Sequence, residues 1–341
     1  ALIVTGANAG TIDGFSFSGV ESVNLGDGND TGTINTGGSL GGSLNFGAGT
    51  ADSLSYAGYS SAVSVSLSSA TSASSATGIS GSVTGFESLV GGSGSDSLTT
   101  STADNVLVLT GSNEGTLDTT LNFSSFESVD LAGGNDSVQF TSGDSLSGTL
   151  AGGNGTDTLD YSGYGSGVSV NLASGTATGT GAISGFDTVL GSASGDTITA
   201  STSGDVNLQG NGGNDTFNFT IAGLTSTDSV DGGGGSDSLV ISDAGTITDA
   251  QFTNVTLLES VTLTGASTLT AGTEASQAGI ATVTTGSGNT TVNTSLNGYD
   301  LTLEAASLGD GASLTLTGSA SSNDFTVNNL TGSVFASGTS G

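Results

Sequence analysis

Short runs of alternating apolar and polar side chains recur along this chain. Val63-Ser64-Val65, Val168-Ser169-Val170 and Val261-Thr262-Leu263 show it, as do Leu301-Thr302-Leu303, Leu314-Thr315-Leu316 and Phe325-Thr326-Val327. A period of two is the signature of a half-buried strand. Toward the end of the chain the centres of these runs fall roughly every ten to twelve residues, so the pattern predicts about two short strands per 20–22 residues. A sandwich would need longer strands and irregular Greek-key connections. The expected fold is therefore all-β, a parallel β-solenoid with coils of about 20–22 residues, in which each coil buries a few Val, Leu, Ile or Phe against its neighbours.

Internal repetition supports the same ruler. The stretch from Asp52 to Leu67 matches that from Asp157 to Leu172 at ten of sixteen positions, an offset of 105. Upstream, Leu2-Ile3-Val4-Thr5-Gly6 answers Leu107-Val108-Leu109-Thr110-Gly111 at the same offset. The expected organisation is a repeat unit over 1–104, a second over 105–205, and a diverged continuation over 206–341. Within these, Glu21, Glu87, Glu127 and Asp187 each stand nine residues before an Asp in a Gly-rich turn, at 30, 96, 136 and 196.

Composition changes the picture by exclusion. The 341 residues include 60 glycines and 31 Asp or Glu, with no Lys, Arg, His, Cys, Met, Pro or Trp, for a formal net charge of −31. Without cationic side chains the chain has nothing to neutralise phosphates, which argues against nucleic-acid partners, and no membrane-spanning run is visible. Without His or Cys it has no imidazole base, no thiol nucleophile and no soft-metal site. Its carboxylates must be solvated, spaced apart, or neutralised from solution. A hard cation that prefers oxygen ligands is the natural partner, Ca²⁺ first among them.

The turns carry the corresponding motif. Gly91-Gly92-Ser93-Gly94-Ser95-Asp96, Gly152-Gly153-Asn154-Gly155-Thr156-Asp157 and Gly232-Gly233-Gly234-Gly235-Ser236-Asp237 each lead into a short apolar-polar run, and looser versions end at Asp30, Asp52, Asp136, Asp196 and Asp215. This pattern resembles the RTX (hemolysin-type) nonapeptide, as embedded in bacterial surface-layer proteins and giant adhesins. The resemblance covers about residues 20–240. It implies Ca²⁺ held between successive coils of a parallel β-roll by the turn Asp and turn carbonyls. Here the motifs are isolated rather than continuous and mark one edge of the coil, so a site needs two marked turns one coil apart. Asp30/Asp52, Asp136/Asp157, Asp196/Asp215 and Asp215/Asp237 meet that condition, whereas Asp96 lacks a neighbour. The competing reading is turn chemistry alone, since Gly, Asn and Asp suit tight turns without any ion.

The expected function is non-catalytic. The resemblance and the solenoid period point to a Ca²⁺-stabilised structural segment of a secreted bacterial surface protein, such as an S-layer, fibre or adhesin stalk. It would lie at the extracellular cell surface and associate with itself or with neighbouring segments of a longer chain. The alternative is an adhesion module that recognises a glycan on one face, with Tyr56, Tyr59, Tyr161 and Tyr164 as stacking candidates.

Overall fold

A computed structural model describes residues 1–294, 300–305, 308–309, 312–318, 325–328 and 333–337. The regular structure of the described residues is dominated by short strands, most of them paired in parallel, as the alternation predicts. These residues form two compact units, Ala1–Gly163 with Gly175–Phe186, and Tyr164–Ser174 with Asp187–Gly341. The expected coil of about 20–22 residues holds in the second unit, where Phe217, Leu239, Val261 and Val283 stack 22 residues apart. It does not hold in much of the first, where Leu54, Leu89 and Phe123 stack 35 and 34 residues apart because antiparallel hairpins are inserted into the coil.

The first unit opens with three antiparallel strands, β1 (Leu2–Gly6), β2 (Ala9–Ile12) and β3 (Phe15–Ser18), followed by β4 (Val23–Asn24). After them the chain winds. Thr31–Ile34 stacks on β1, Ser53–Ser55 on Thr31–Ile34, and Ser88–Val90 on Ser53–Ser55, always in parallel. A second sheet on the other side of the coil contains Ser64–Ser69, Ser97–Thr99, Ser128–Asp130 and Leu146–Ala151, again in parallel order. Alternate side chains point inward and meet their counterparts one coil away. Leu54, Leu89 and Phe123 form one such ladder, and Val65, Leu98 and Val129 another. Where the ladder reaches Gly32, the vacancy is filled by Phe46 and Leu44 from across the coil.

The second unit repeats the scheme with more regular coils. Ile198, Phe217, Leu239, Val261, Val283 and Leu303 stand in register on consecutive parallel strands, and the first five are fully buried, as is Leu303. The alternating runs at 261–263, 301–303, 314–316 and 325–327 all lie inside strands, namely Ser260–Leu263, Leu301–Glu304, Ser313–Thr317 and Phe325–Asn328. From residue 245 a third sheet joins, Gly245–Ile247, Ser267–Ala271, Thr290–Thr294, Ser313–Thr317 and Ser333–Ser337. One short helix, Thr273–Gln277, breaks the pattern, its first-turn N–H groups satisfied by the Asp249 carboxylate from another coil.

Candidate functional site

Each turn Asp singled out in the sequence stands immediately before a strand, at the corner of its coil. There the backbone N–H points along the stacking direction, beyond the reach of the strand ladder. The carboxylate one coil further on accepts it. Asp52 Oδ1 takes the Asp30 N–H at 2.6 Å, Asp157 Oδ1 takes that of Asp136 at 2.8 Å, and Asp136 Oδ1 takes that of Asn105 at 2.6 Å. In the second unit Asp196 donates to Asp215 at 2.7 Å, Asp215 to Asp237 at 2.8 Å, and Asp237 to Glu259 at 2.6 Å. These are charge-assisted hydrogen bonds, each worth about 1.5–3 kcal/mol net. The ladder of carboxylates thus works first as a coil-to-coil staple made from backbone donors.

The phase-marking acids belong to the same device. Glu87 Oε2 accepts the Asp52 N–H at 2.9 Å, and Glu127 Oε2 accepts that of Asp96 at 2.7 Å. Glu87 precedes Ser88–Val90 in one sheet and Asp96 precedes Ser97–Thr99 in the other. Nine residues therefore carry the chain from one sheet to the other, and both edges carry acids. The expectation that a single edge is marked is corrected. A spacing of 40, as between Asp96 and Asp136, switches edges. Two buried aspartates escaped sequence reasoning altogether: Asp144 and Asp228 accept the N–H and hydroxyl of Thr141 and Thr225 respectively. The Thr-x-x-Asp spacing they share was the available signal.

The second carboxylate oxygen divides the turns into two kinds. In the Asp96 turn, Oδ2 accepts the Gly92 N–H at 2.5 Å, and in the Asp196 turn it accepts the Ser192 N–H at 2.7 Å. Those turns contain no left-handed residue and close on themselves. The other kind has positive φ at the fourth and second residues before the Asp. Gly26 and Gly28 precede Asp30, Ala132 and Gly134 precede Asp136, Gly153 and Gly155 precede Asp157, Asn211 and Gly213 precede Asp215, and Gly233 and Gly235 precede Asp237. A left-handed residue at the fourth position turns its N–H away from the carboxylate. Oδ2 of Asp136, Asp215 and Asp237 is then buried with no hydrogen-bond partner, and so is Oδ2 of Asp52, whose turn is one residue longer. At Gly210, a Cβ would run into Asp215 Oδ2 and lie 2.5 Å from the Gly232 carbonyl oxygen of the next coil. A carboxylate oxygen and a carbonyl oxygen thus flank one point that only glycine leaves open, as they also do beside Gly91 and Gly191 in the closed turns.

The open turns come in pairs on consecutive coils: 26–30 with 47–52, 132–136 with 153–157, and 211–215 with 233–237. Within each pair the first turn ends Asn-Asp, and that Asn reaches forward. Asn29, Asn135 and Asn214 accept on Oδ1 the N–H of Thr50, Thr156 and Ser236 at 3.3, 2.9 and 3.0 Å. The structure therefore brings together Asp30/Asp52, Asp136/Asp157 and Asp215/Asp237 as matched open turns. It links Asp196 to Asp215 by a hydrogen bond but leaves the Asp196 turn closed, and Asp96 is closed as well.

Burial pushes the Asp215 carboxyl up to about 7 and that of Asp136 up to about 6. Hydrogen bonds from the Asp196 and Asn105 backbones oppose the rise, and neighbouring carboxylates add to it. Burial also raises Asp96 and Asp237. Among the described residues no group of three or more Asp or Glu side chains converges, so a cation here would rest on one or two carboxylates and on turn carbonyls.

Tyr56 and Tyr161 are fully buried and donate their hydroxyls to the Thr77 and Thr178 carbonyls at 2.8 Å each. Burial, with Tyr59 nearby, drives the Tyr56 phenol well above its ordinary range. Both are core residues, which removes them from any glycan-stacking face. Among the described residues no helix is long and apolar enough to cross a membrane. No family model matches the chain, and no curated protein matches it.

Proposed function

We propose that this chain is a non-catalytic structural segment, a stack of β-coils stapled by carboxylates and tightened by Ca²⁺ at the paired open turns. The observation that carries the reading is the set of buried, unpartnered oxygens, Asp52 Oδ2, Asp136 Oδ2, Asp215 Oδ2 and Asp237 Oδ2, each set in a pair of glycine-rich turns. An ionised oxygen in that position loses its hydration and gains no donor, which is costly. An oxygen-seeking cation offsets the cost by neutralising the charge and bridging two coils. The residues that would hold it are Asp30 with Asp52, Asp136 with Asp157, and Asp215 with Asp237, together with carbonyls of the same turns. The closed turns at Asp96 and Asp196 have no oxygen to spare and act as staples only. The net charge of −31 without a single cationic side chain suits a protein that meets free Ca²⁺. That condition, together with the likeness to RTX-type surface-protein arrays, supports an extracellular, surface-associated role.

The test is thermal unfolding with and without chelator. Chelation should lower the melting temperature and millimolar Ca²⁺ should restore it. Each site saturated a hundredfold over its Kd contributes about 2.7 kcal/mol. An unchanged melting temperature would refute the calcium part and leave the carboxylate staple.

The glycan reading retains one observation, a shallow groove over Ser97, Thr99, Ser128, Asp130 and Thr149. No aromatic ring lines it, so the structural reading is the stronger.

A further inference from the structure

The three-stranded hairpin β1–β3 occurs twice. One repeat later, Val106–Gly111, Glu114–Leu117 and Leu121–Ser124 form the same antiparallel unit in the same register. Leu2 faces Ile12 as Leu107 faces Leu117, and Ile12 faces Phe15 as Leu117 faces Leu121. The bulge between Val4 and Gly6 returns between Leu109 and Gly111.

The two hairpins differ in what lies beyond them. Leu121–Ser124 pairs in parallel with Ser88–Val90 of the preceding coil, Asn122 opposite Ser88 and Phe123 opposite Leu89. Ser128–Asp130, which follows it, pairs with Ser97–Thr99 of that same coil. Between them Glu127 accepts the Asp96 N–H. The first hairpin carries the same three features uncovered. β3 and β4 end their sheets, with no further strand beyond either among the described residues, and Glu21, the counterpart of Glu127, is exposed. Leu121 is 0% exposed, whereas its counterpart Phe15 is 80% exposed. An apolar edge strand left open is a template for pairing, and the second hairpin shows the partner it is built for.

We propose that the β3–β4 end is an acceptor surface for one coil of another solenoid unit of this same kind, a coil patterned like residues 87–99. A strand like Ser88–Val90 adds to β3 in parallel, with its Leu opposite Phe17 and its flank over Phe15. A strand like Ser97–Thr99 adds to β4, and Glu21 takes the N–H of the incoming turn Asp. Val106 donates its N–H to Asp118 Oδ1 at 2.8 Å, as the Ala1 amino group does to Asp13 Oδ1 at 2.7 Å. The proposal deepens the structural reading and rests on it, but it does not depend on calcium.

The experiment fuses a second copy of residues 1–105 in front of the full chain, with calcium saturating in every arm. Phe15→Trp in the original chain supplies the only indole, since the sequence contains no Trp. The unfused F15W chain is the exposed reference, and the Asn122 amide of the same molecule is the docked reference. Fusion should shift the Trp emission to the blue and slow exchange of the Ser16 amide at least tenfold, toward that of Asn122. In the fusion, Phe15→Lys should restore fast exchange at Ser16 while leaving the circular dichroism of the chain unchanged. Emission and Ser16 exchange unaltered by fusion overturn the proposal. A concentration-dependent blue shift in the unfused chain overturns the choice of partner, because it assigns the surface to a second copy's far end. Loss of docking with an intact response to chelation leaves the calcium reading standing, and the reverse result leaves this one.

Discussion

At the scale of single residues, the informative atom is the second oxygen of each turn carboxylate. Asp96 ends a full Gly-Gly-x-Gly-x-Asp turn and Asp215 a looser one, yet Asp96 Oδ2 accepts a turn N–H and Asp215 Oδ2 has no partner. The two should answer differently to the same substitution. Asp215→Asn keeps an oxygen for the Asp196 N–H, removes a buried charge, and places an NH₂ near the Gly232 carbonyl. In chelator it should be as stable as the parent or more so, while losing its share of the calcium-dependent gain. Asp96→Asn should lose about 1 kcal/mol, as one acceptor becomes a donor, with the calcium response untouched. Paired melting curves with and without Ca²⁺ check both. An equal loss of calcium response at Asp96 and Asp215 would contradict the division into open and closed turns. Asp215→Ala should cost about 1–3 kcal/mol in chelator by orphaning the buried Asp196 N–H, and denaturant midpoints would measure it.

At the scale of elements, stability resides in registered apolar ladders between coils. Leu239 stands between Phe217 and Val261, fully buried. Leu239→Ala should cost about 2–5 kcal/mol, chiefly the cavity opened between two coils that cannot close without breaking their hydrogen bonds. Hydrogen exchange should show loosening centred on the adjacent strands Thr216–Phe219 and Ser260–Leu263, because in a stack each coil leans only on its neighbours. Uniform loosening of the whole unit would show that the coils unfold together instead.

At the scale of the whole molecule, the governing quantity is charge without counter-charge. Asp136 and Asp215 titrate near 6 and 7 in the folded chain because burial disfavours their ionised forms, against about 3.9 in an unfolded one. Between those values the folded state holds more protons, so stability falls as pH rises. In chelator the share of stability that these two groups contribute should be full below about pH 4 and lost as pH passes through about 6 to 7, lowering the melting temperature over that window. Repulsion among the remaining acids acts in the same direction. Saturating Ca²⁺ should flatten the decline, because the ion stabilises the ionised carboxylate. A melting temperature that rises from pH 5 to pH 8 in chelator would contradict this account.

The coil was legible in the sequence for a simple reason. Alternation such as Val261-Thr262-Leu263 sets which side chains face inward, and the recurrence of Gly-x-Asp turns sets where the chain bends; both are local properties. The nine-residue interval from Glu87 to Asp96 was legible as a phase, but its meaning as opposite corners of one coil depended on which sheet each strand joined. The sequence by itself determined the solenoid, the exclusion of cationic chemistry and the acids that mark its corners. It also gave the coil length of the second unit, but not the longer coils of the first, where antiparallel hairpins are inserted. Only the tertiary structure decided that Tyr56 and Tyr161 are core, that Asp96 is closed and Asp215 open, and that Phe15 lies bare where Leu121 is covered. Those outcomes depend on a backbone dihedral four residues away or on a strand one coil away, and neither is encoded in the motif itself.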